Sequence, residues 1–426
     1  MRGGRNRYSA KLLFLKKTSL PEALSDNHTA RTTSDRQNIT MEVANGRDHA
    51  LLGTVLVTGG CGFIGSFITE AFAAEPSCTR LVVASRTPNN FCLPEVEYRS
   101  CDFTKLEQAK ALLDDIQPRT IIHTVSPGPF ALPSEHYRVT YLGTKHLLEL
   151  AKQHPSVRAF VWTSSVSAVH LDPTVNHRPI NEAEAKVNDW TSPASAYSRA
   201  KGSTETLVLG SGTDATTVDF SENADWRDKI LTTSLRVTGL YGPRDKTTLK
   251  ELLAIVNTFA TRIQVGPNRL VHSWCFVDSA ASAHVDAAKA LLDGKHLQPS
   301  MRVDGESFFI ADPEPMKFWN FTREVQREAR DEFCSSPEEH LKPIVIPFWV
   351  MMTVAWVSEW LYWIFTFGTK RPRMTLDHFE GMARGYWFSV EKARVRLGWE
   401  PACNTEEGIR RSVSWFNENP NWETEL

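Results

Sequence analysis

Residues 54–65 read Thr54-Val55-Leu56-Val57-Thr58-Gly59-Gly60-Cys61-Gly62-Phe63-Ile64-Gly65, and an apolar-periodic stretch continues from there to about Ala74. The first five residues are β-branched or aliphatic and predict a buried strand. The glycines at 59, 62 and 65 fall directly between that strand and the helix that the periodicity predicts. Gly59 permits a tight turn out of the strand, Gly62 lets backbone approach a pyrophosphate, and Gly65 lets the helix pack closely. The amides at the helix N-terminus and the positive end of its dipole are suited to phosphate. A dinucleotide-binding turn is therefore expected, with Thr58, Gly59, Gly62, Phe63, Ile64 and Gly65 at the cofactor.

Strand and helix patterns alternate outward from this turn. Leu81-Val82-Val83-Ala84 reads as a second strand, a helix follows around Leu106–Leu113, Ile121-Ile122-His123-Thr124 is a further strand, and Phe160-Val161-Trp162-Thr163 another. This alternation predicts an α/β fold with a doubly wound parallel sheet of the Rossmann type. After the second strand, an acidic side chain would grip the ribose 2′-hydroxyl of NAD. Ser85 and Arg86 stand there instead. A missing carboxylate beside a cation favours the 2′-phosphate of NADP, unless Arg86 faces solvent or stacks on adenine. His123 is expected at a strand end near the cofactor without acid/base duty.

Ser164-Ser165 ends the Phe160 strand, and Tyr197 and Lys201 follow on a helix, four residues apart and so on one face. Removing hydride from a carbinol carbon, or adding it to a carbonyl, requires a proton partner on the oxygen. A free phenol has a pKa of about 10, and a neighbouring ammonium lowers it. Tyr197 is thus the expected acid/base, Lys201 its electrostatic partner and a hydrogen-bond donor to the nicotinamide ribose, and Ser165 the holder of the substrate oxygen.

The chain has 426 residues, 48 Lys and Arg against 50 Asp and Glu, and a net charge of −2. Nothing in that balance points to nucleic acid. The seven cysteines are scattered without a CxxC pair or a Cys/His cluster, so neither a metal site nor a disulfide framework is expected, and a reducing compartment fits. Residues 1–50 combine Arg2, Arg5, Arg7, Lys11, Lys16 and Lys17 with a short Leu12–Leu15 patch, then turn polar. They read as a disordered or targeting tail, and Met41 could be the true start. Residues 51–240, with a returning segment at 265–312, are expected to form the dinucleotide-binding core, and 241–426 mainly a smaller mixed substrate-binding region.

Ile344 to Phe367 is almost wholly apolar, long enough for ~36 Å of helix, and followed by Lys370, Arg371 and Arg373. It could span a bilayer, lie in the interface through its tryptophans, or roof an apolar substrate pocket.

Taken together these motifs resemble the extended short-chain dehydrogenase/reductase superfamily and, within it, the 3β-hydroxysteroid dehydrogenase/isomerase family, particularly its decarboxylating sterol-4α-carboxylate branch. The resemblance runs from about Thr54 to Phe416 and rests on Thr58–Gly65, Thr163-Ser164-Ser165, Tyr197/Lys201, Leu235–Pro243, Phe276-Val277-Asp278 with Ala283-His284, Phe308–Trp319 and Leu397–Pro401. It implies that Asp102 meets the adenine and that the cofactor is NAD. Thr140 stands where the family has Asn, Ser85 where it has Asp, Val237 where it has Pro, and Ser211–Asp228 looks like an inserted loop. The implied activity is oxidation of a 3β-hydroxyl on a sterol- or triterpenoid-like substrate, with loss of CO2 if a C4 carboxylate is present. The implied setting is the endoplasmic reticulum membrane with a cytosol-facing catalytic domain, and a homodimer is one state it allows. An NADPH-dependent ketone or aldehyde reductase, and a non-catalytic dinucleotide sensor, are the alternatives.

Overall fold

A run of seven strands, each continuing into a helix or a loop on one edge, accounts for most of what the sequence alternation predicts. The computed structural model describes residues 51–170, 177–221, 224–293, 298–330, 342–367, 372, 376 and 385–422. The strands are β1 (Gly53–Thr58), β2 (Cys78–Ser85), β3 (Glu97–Ser100), β4 (Thr120–His123), β5 (Ala159–Ser165), β6 (Leu231–Val237) and β7 (Glu306–Ile310). They lie side by side in the order β7-β6-β5-β4-β1-β2-β3, every pair parallel. This is the doubly wound arrangement, and its strand order reverses between β1 and β4, where such sheets open a ligand crevice.

The sheet is covered on both faces, which is why its strands read as continuous apolar runs rather than as alternations. Val55 and Val57 join one core cluster, shared with α1 (Phe63–Ala73) and α5 (Val277–Leu292); Leu56 points the other way, into a cluster with α2 (Leu106–Ile116) and α3 (Thr144–Gln153). α3 is preceded by a π-helical segment, His136–Gly143, and α4 (Ala196–Ser211) carries Tyr197 and Lys201. Thr140, where the family has Asn, is buried in the π-helical segment, with its Oγ1 3.1 Å from Ser126 Oγ and its carbonyl accepting from Thr144 Oγ1. Among the described residues of the polar stretch Ser211–Asp228, Ser211 ends α4, Ala215–Thr217 forms a short turn, and Trp226 is buried with the Arg158 guanidinium over its ring.

Beyond β6 the chain builds small two-stranded ribbons around α5, α6 (Phe318–Ala329), α7 (Phe348–Thr366), α8 (Glu391–Leu397) and α9 (Thr405–Glu418). Trp274 and Phe321 stack at 3.7 Å between ring centroids, and the Tyr241 hydroxyl donates to Asp312, which also accepts from Thr405. The basic N-terminal tail with Met41, Cys334, and the Lys370/Arg371/Arg373 flank lie outside the described residues.

Candidate active site

The C-terminal ends of β1, β2, β4, β5 and β6 border a cleft of about 970 Å³. At one end is the glycine turn. Gly59 has φ +74°, and a Cβ there would stand 2.7 Å from Thr124 Oγ1. At Gly65 a Cβ would lie 2.2 Å from the Gly59 carbonyl oxygen, so the close approach this glycine allows is between α1 and the backbone of the turn itself, not the sheet. No side chain caps the first amides of α1 and its first turn has no acidic residue, which leaves an N-terminus suited to a phosphate.

The structure brings Gly59, Gly62, Phe63, Ile64, Gly65, Ser85, Arg86, Asp102, Ser165, Tyr197 and Lys201 to this one cleft. Thr58 is the exception. It is fully buried beneath the floor, its Oγ1 2.5 Å from His123 Nδ1, and it supports the turn without lining the cleft. His123 is itself buried between Thr58 and Thr144. Burial, and then the nearby Lys201 charge, push its pKa down to about 3, which favours the neutral imidazole, and the ring does not line the cleft.

Ser85 Oγ accepts from the Cys61 amide at 3.4 Å. Arg86 is exposed on the cleft rim and makes no ion pair among the described residues; its carbonyl accepts from Ser100 Oγ. Asp102 is half-buried. Burial opposes its charge, but the Thr104 hydroxyl and amide, both donating to Oδ1, and the Lys105 and Arg138 charges outweigh that and hold its carboxyl below the usual range. Its Oδ2 accepts no hydrogen bond among the described residues.

At the opposite end, Ser165 closes β5 and its Oγ accepts from the Ser167 amide at 3.1 Å; its hydroxyl lies near enough to the Tyr197 phenol to favour the charged form. Lys201 Nζ donates to the Thr163 carbonyl at 2.8 Å and lies 4.4 Å from the centroid of Trp162 and 5.9 Å from that of Tyr197. The expected lowering of the phenol pKa by this ammonium is not found in this arrangement. Burial pushes Tyr197 up, with the Ser165 hydroxyl opposing it, and burial pushes Lys201 down to about 7, with the Glu205 charge opposing. The sequence spacing foresees the shared helix face but not the burial, which is the largest influence on the pKa of each group.

Several supporting residues are not among the site residues expected from the sequence. His136 packs edge-on against Tyr197 at 5.6 Å from the π-helical segment. His284 Nε2 meets Thr163 Oγ1 at 2.8 Å, fixing the strand residue whose carbonyl holds Lys201. One turn beyond Lys201, buried Glu205 takes a forked ion pair from buried Arg236, at 2.6 Å to Nη2, and a hydrogen bond from Ser234 Oγ. The buried Ser164 Oγ, Asn188 Oδ1 and Thr238 Oγ1 have no hydrogen-bond partner among the described residues, and all three residues line the cleft, which adds polar groups for a ligand.

The residues lining this cleft come from outside 344–367.

Residues 56–333 match the 3-beta hydroxysteroid dehydrogenase/isomerase family. The chain is similar to the sterol-4-alpha-carboxylate 3-dehydrogenase, decarboxylating, of Gibberella zeae, at 31% identity over 76% of this chain and 98% of that protein. Proteins of the same description from Candida albicans (27% identity, 86% of this chain and 99% of that one) and Homo sapiens (24%, 84% and 87%) are also similar. Among solved structures, the fold resembles UDP-glucose 4-epimerases from Thermotoga maritima, with UDP-glucose (TM-score 0.59, 19% identity, 86% of this chain and 100% of that one), and from Thermus thermophilus, in complex with NAD (0.59, 19%, 85% and 99%).

Proposed function

Because the chain belongs to the 3-beta hydroxysteroid dehydrogenase/isomerase family, we propose that it oxidises the 3β-hydroxyl of a sterol- or triterpenoid-like substrate bearing a C4 carboxylate, which then leaves as CO2. The observation that carries the reading is the convergence of Ser165, Tyr197 and Lys201 in one cleft with an uncapped helix N-terminus and a glycine turn.

That cleft fits a nicotinamide dinucleotide. The turn at Gly59 and Gly65 has no room for side chains, the α1 amides suit the pyrophosphate, and Asp102 keeps one carboxylate oxygen for the adenine end. When bound, the nicotinamide supplies the hydride acceptor. The protein's part is proton handling and positioning. Ser165 hydrogen-bonds the substrate oxygen, Tyr197 takes the hydroxyl proton as its phenolate, having first lost its own proton to solvent, and Lys201 places its ammonium beside the phenolate and the nicotinamide ribose, where its charge works against the burial that raises the phenol's pKa. The product of oxidation is a β-keto acid. Its C–CO2 bond breaks with the electron pair delocalised as an enolate, which is protonated at C4, so the net change is one hydride to the cofactor and one CO2 released.

Arg86 on the rim, with no carboxylate at the end of β2, favours NADP over NAD. Residues 51–240 with 265–312 serve as the cofactor side, and 241–426 mainly as the substrate side. The free thiols among the described residues fit a cytosol-facing domain, and a water-insoluble substrate fits the endoplasmic reticulum membrane as the place of encounter.

A panel of 3β-hydroxysterols with and without a C4α carboxylate, run with NAD+ and NADP+, tests this reading. The expected result is CO2 release from the carboxylates only, with NADP+ preferred and the preference lost in Arg86→Ala. Cofactor binding without oxidation of any 3β-alcohol would instead support a reductase of another ketone.

A further inference from the structure

By length and composition, α7 (Phe348–Thr366) is apolar enough to cross a membrane. We propose that it does not cross, and that it lies flat in one leaflet of a phospholipid bilayer as an in-plane anchor, both ends on the same side. The protein would thereby meet the membrane from which a sterol-like substrate comes; the docking itself does not depend on the chemistry of the cleft.

Three stripes divide the helix. Phe348, Met351, Met352 and Ala355, at i, i+3, i+4 and i+7, face the protein and pack with Val265 and Trp319. On the same face, Glu359 Oε1 accepts from the Leu376 amide at 3.0 Å, and just before the helix Ile344–Ile346 pairs with Ile263–Val265. A crossing helix would carry this stripe, and the protein packed on it, into hydrocarbon. The second stripe is Trp349, Trp356, Trp360 and Trp363, between 55% and 71% exposed. The third is aliphatic and aromatic: Val354, Val357, Leu361, Ile364 and Phe365, all exposed.

The tryptophan stripe decides the orientation. Tryptophan prefers the headgroup boundary over the bilayer centre. In a spanning helix of ~28 Å, Trp356 and Trp360 would lie near the centre of a ~30 Å core. With the axis in the membrane plane, all four sit at one depth, the boundary, while the third stripe reaches the acyl chains. Charge agrees with that placement. The exposed stripes carry no ionisable side chain, the exposed Lys342 precedes the segment, and the sequence continues into Lys370, Arg371 and Arg373, a match for anionic headgroups.

The test uses the full-length protein. Flotation with phosphatidylcholine/phosphatidylserine vesicles should recover the wild type, and Trp360→Glu with Phe365→Glu should weaken that binding roughly tenfold or more, with NADPH binding retained as the sign of an intact fold. In sealed vesicles from cells making the protein, an impermeant maleimide should label Lys342→Cys and Thr366→Cys from the same face, above wild-type labelling. Labelling from opposite faces would establish a span and overturn the proposal, as would flotation unaffected by the double substitution or no flotation at all. None of these readouts uses turnover, so a failed sterol assay leaves them standing, and a failed docking assay leaves the sterol reading standing.

Discussion

Tyr197→Phe lowers turnover by about 10²–10⁴-fold, the usual contribution of a positioned acid/base group, and leaves the dissociation constant for NADPH unchanged. Only the phenolic oxygen is lost. The ring stays in its place beside His136 and near the Lys201 ammonium, and the glycine turn at the far end of the cleft is untouched. What goes is the atom that faces Ser165 and takes the substrate proton. Steady-state turnover with fluorescence titration of NADPH checks it. Retained turnover would remove Tyr197 from the chemistry; lost NADPH binding would mean that the substitution disturbed the cleft.

Glu205→Ala destabilises the protein by about 3–5 kcal/mol, the range for breaking a buried pair from one side. Glu205 is fully buried, Arg236 is 3% exposed, and Glu205 accepts from Arg236 Nε and Nη2 and from Ser234 Oγ. Truncation leaves the guanidinium against the Phe309 ring, at 5.3 Å, without its hydrogen-bonded carboxylate. The same change reaches the active site. The Glu205 charge is the influence that opposes burial at Lys201, so losing it lowers the Lys201 pKa further and reduces its charge at neutral pH. Urea denaturation should show the lost stability, and Glu205→Gln, which keeps the shape and can still accept one hydrogen bond, should recover part of it. A midpoint equal to wild type for Glu205→Ala would refute the assignment.

The glycine turn and the alternation of strands and helices are legible because both are local: the positions of Gly59 and Gly65 between a β-branched run and an apolar-periodic helix encode the turn, and buried parallel strands announce themselves as apolar runs. Tyr197 and Lys201 are legible for the same reason, being one helical turn apart. What the sequence does not display is what distant segments do to them. Glu205 and Arg236 meet only because β6 lies under α4, and the two stand 31 positions apart in the chain. His136 reaches Tyr197 from a π-helical segment whose period gives no apolar signature. The burial that raises the Tyr197 pKa and lowers that of Lys201 comes from surrounding elements, which the spacing does not report. The motif assigns Thr58 to the cofactor through its neighbours, yet strand alternation turns it toward His123. The apolar segment is recognisable as such, but which stripe faces protein emerges only once Val265 and Trp319 are seen against it.

Oxidation at C3 by the Tyr197/Ser165/Lys201 cleft is tested most directly by single-turnover reaction of a 3-deuterated 4α-carboxysterol with oxidised cofactor. The expected products are reduced cofactor with deuterium on the nicotinamide C4, one CO2 per reduced cofactor and a 3-ketone lacking the carboxylate. Reduced cofactor without deuterium, or a substrate recovered unchanged beside tightly bound cofactor, would contradict that assignment.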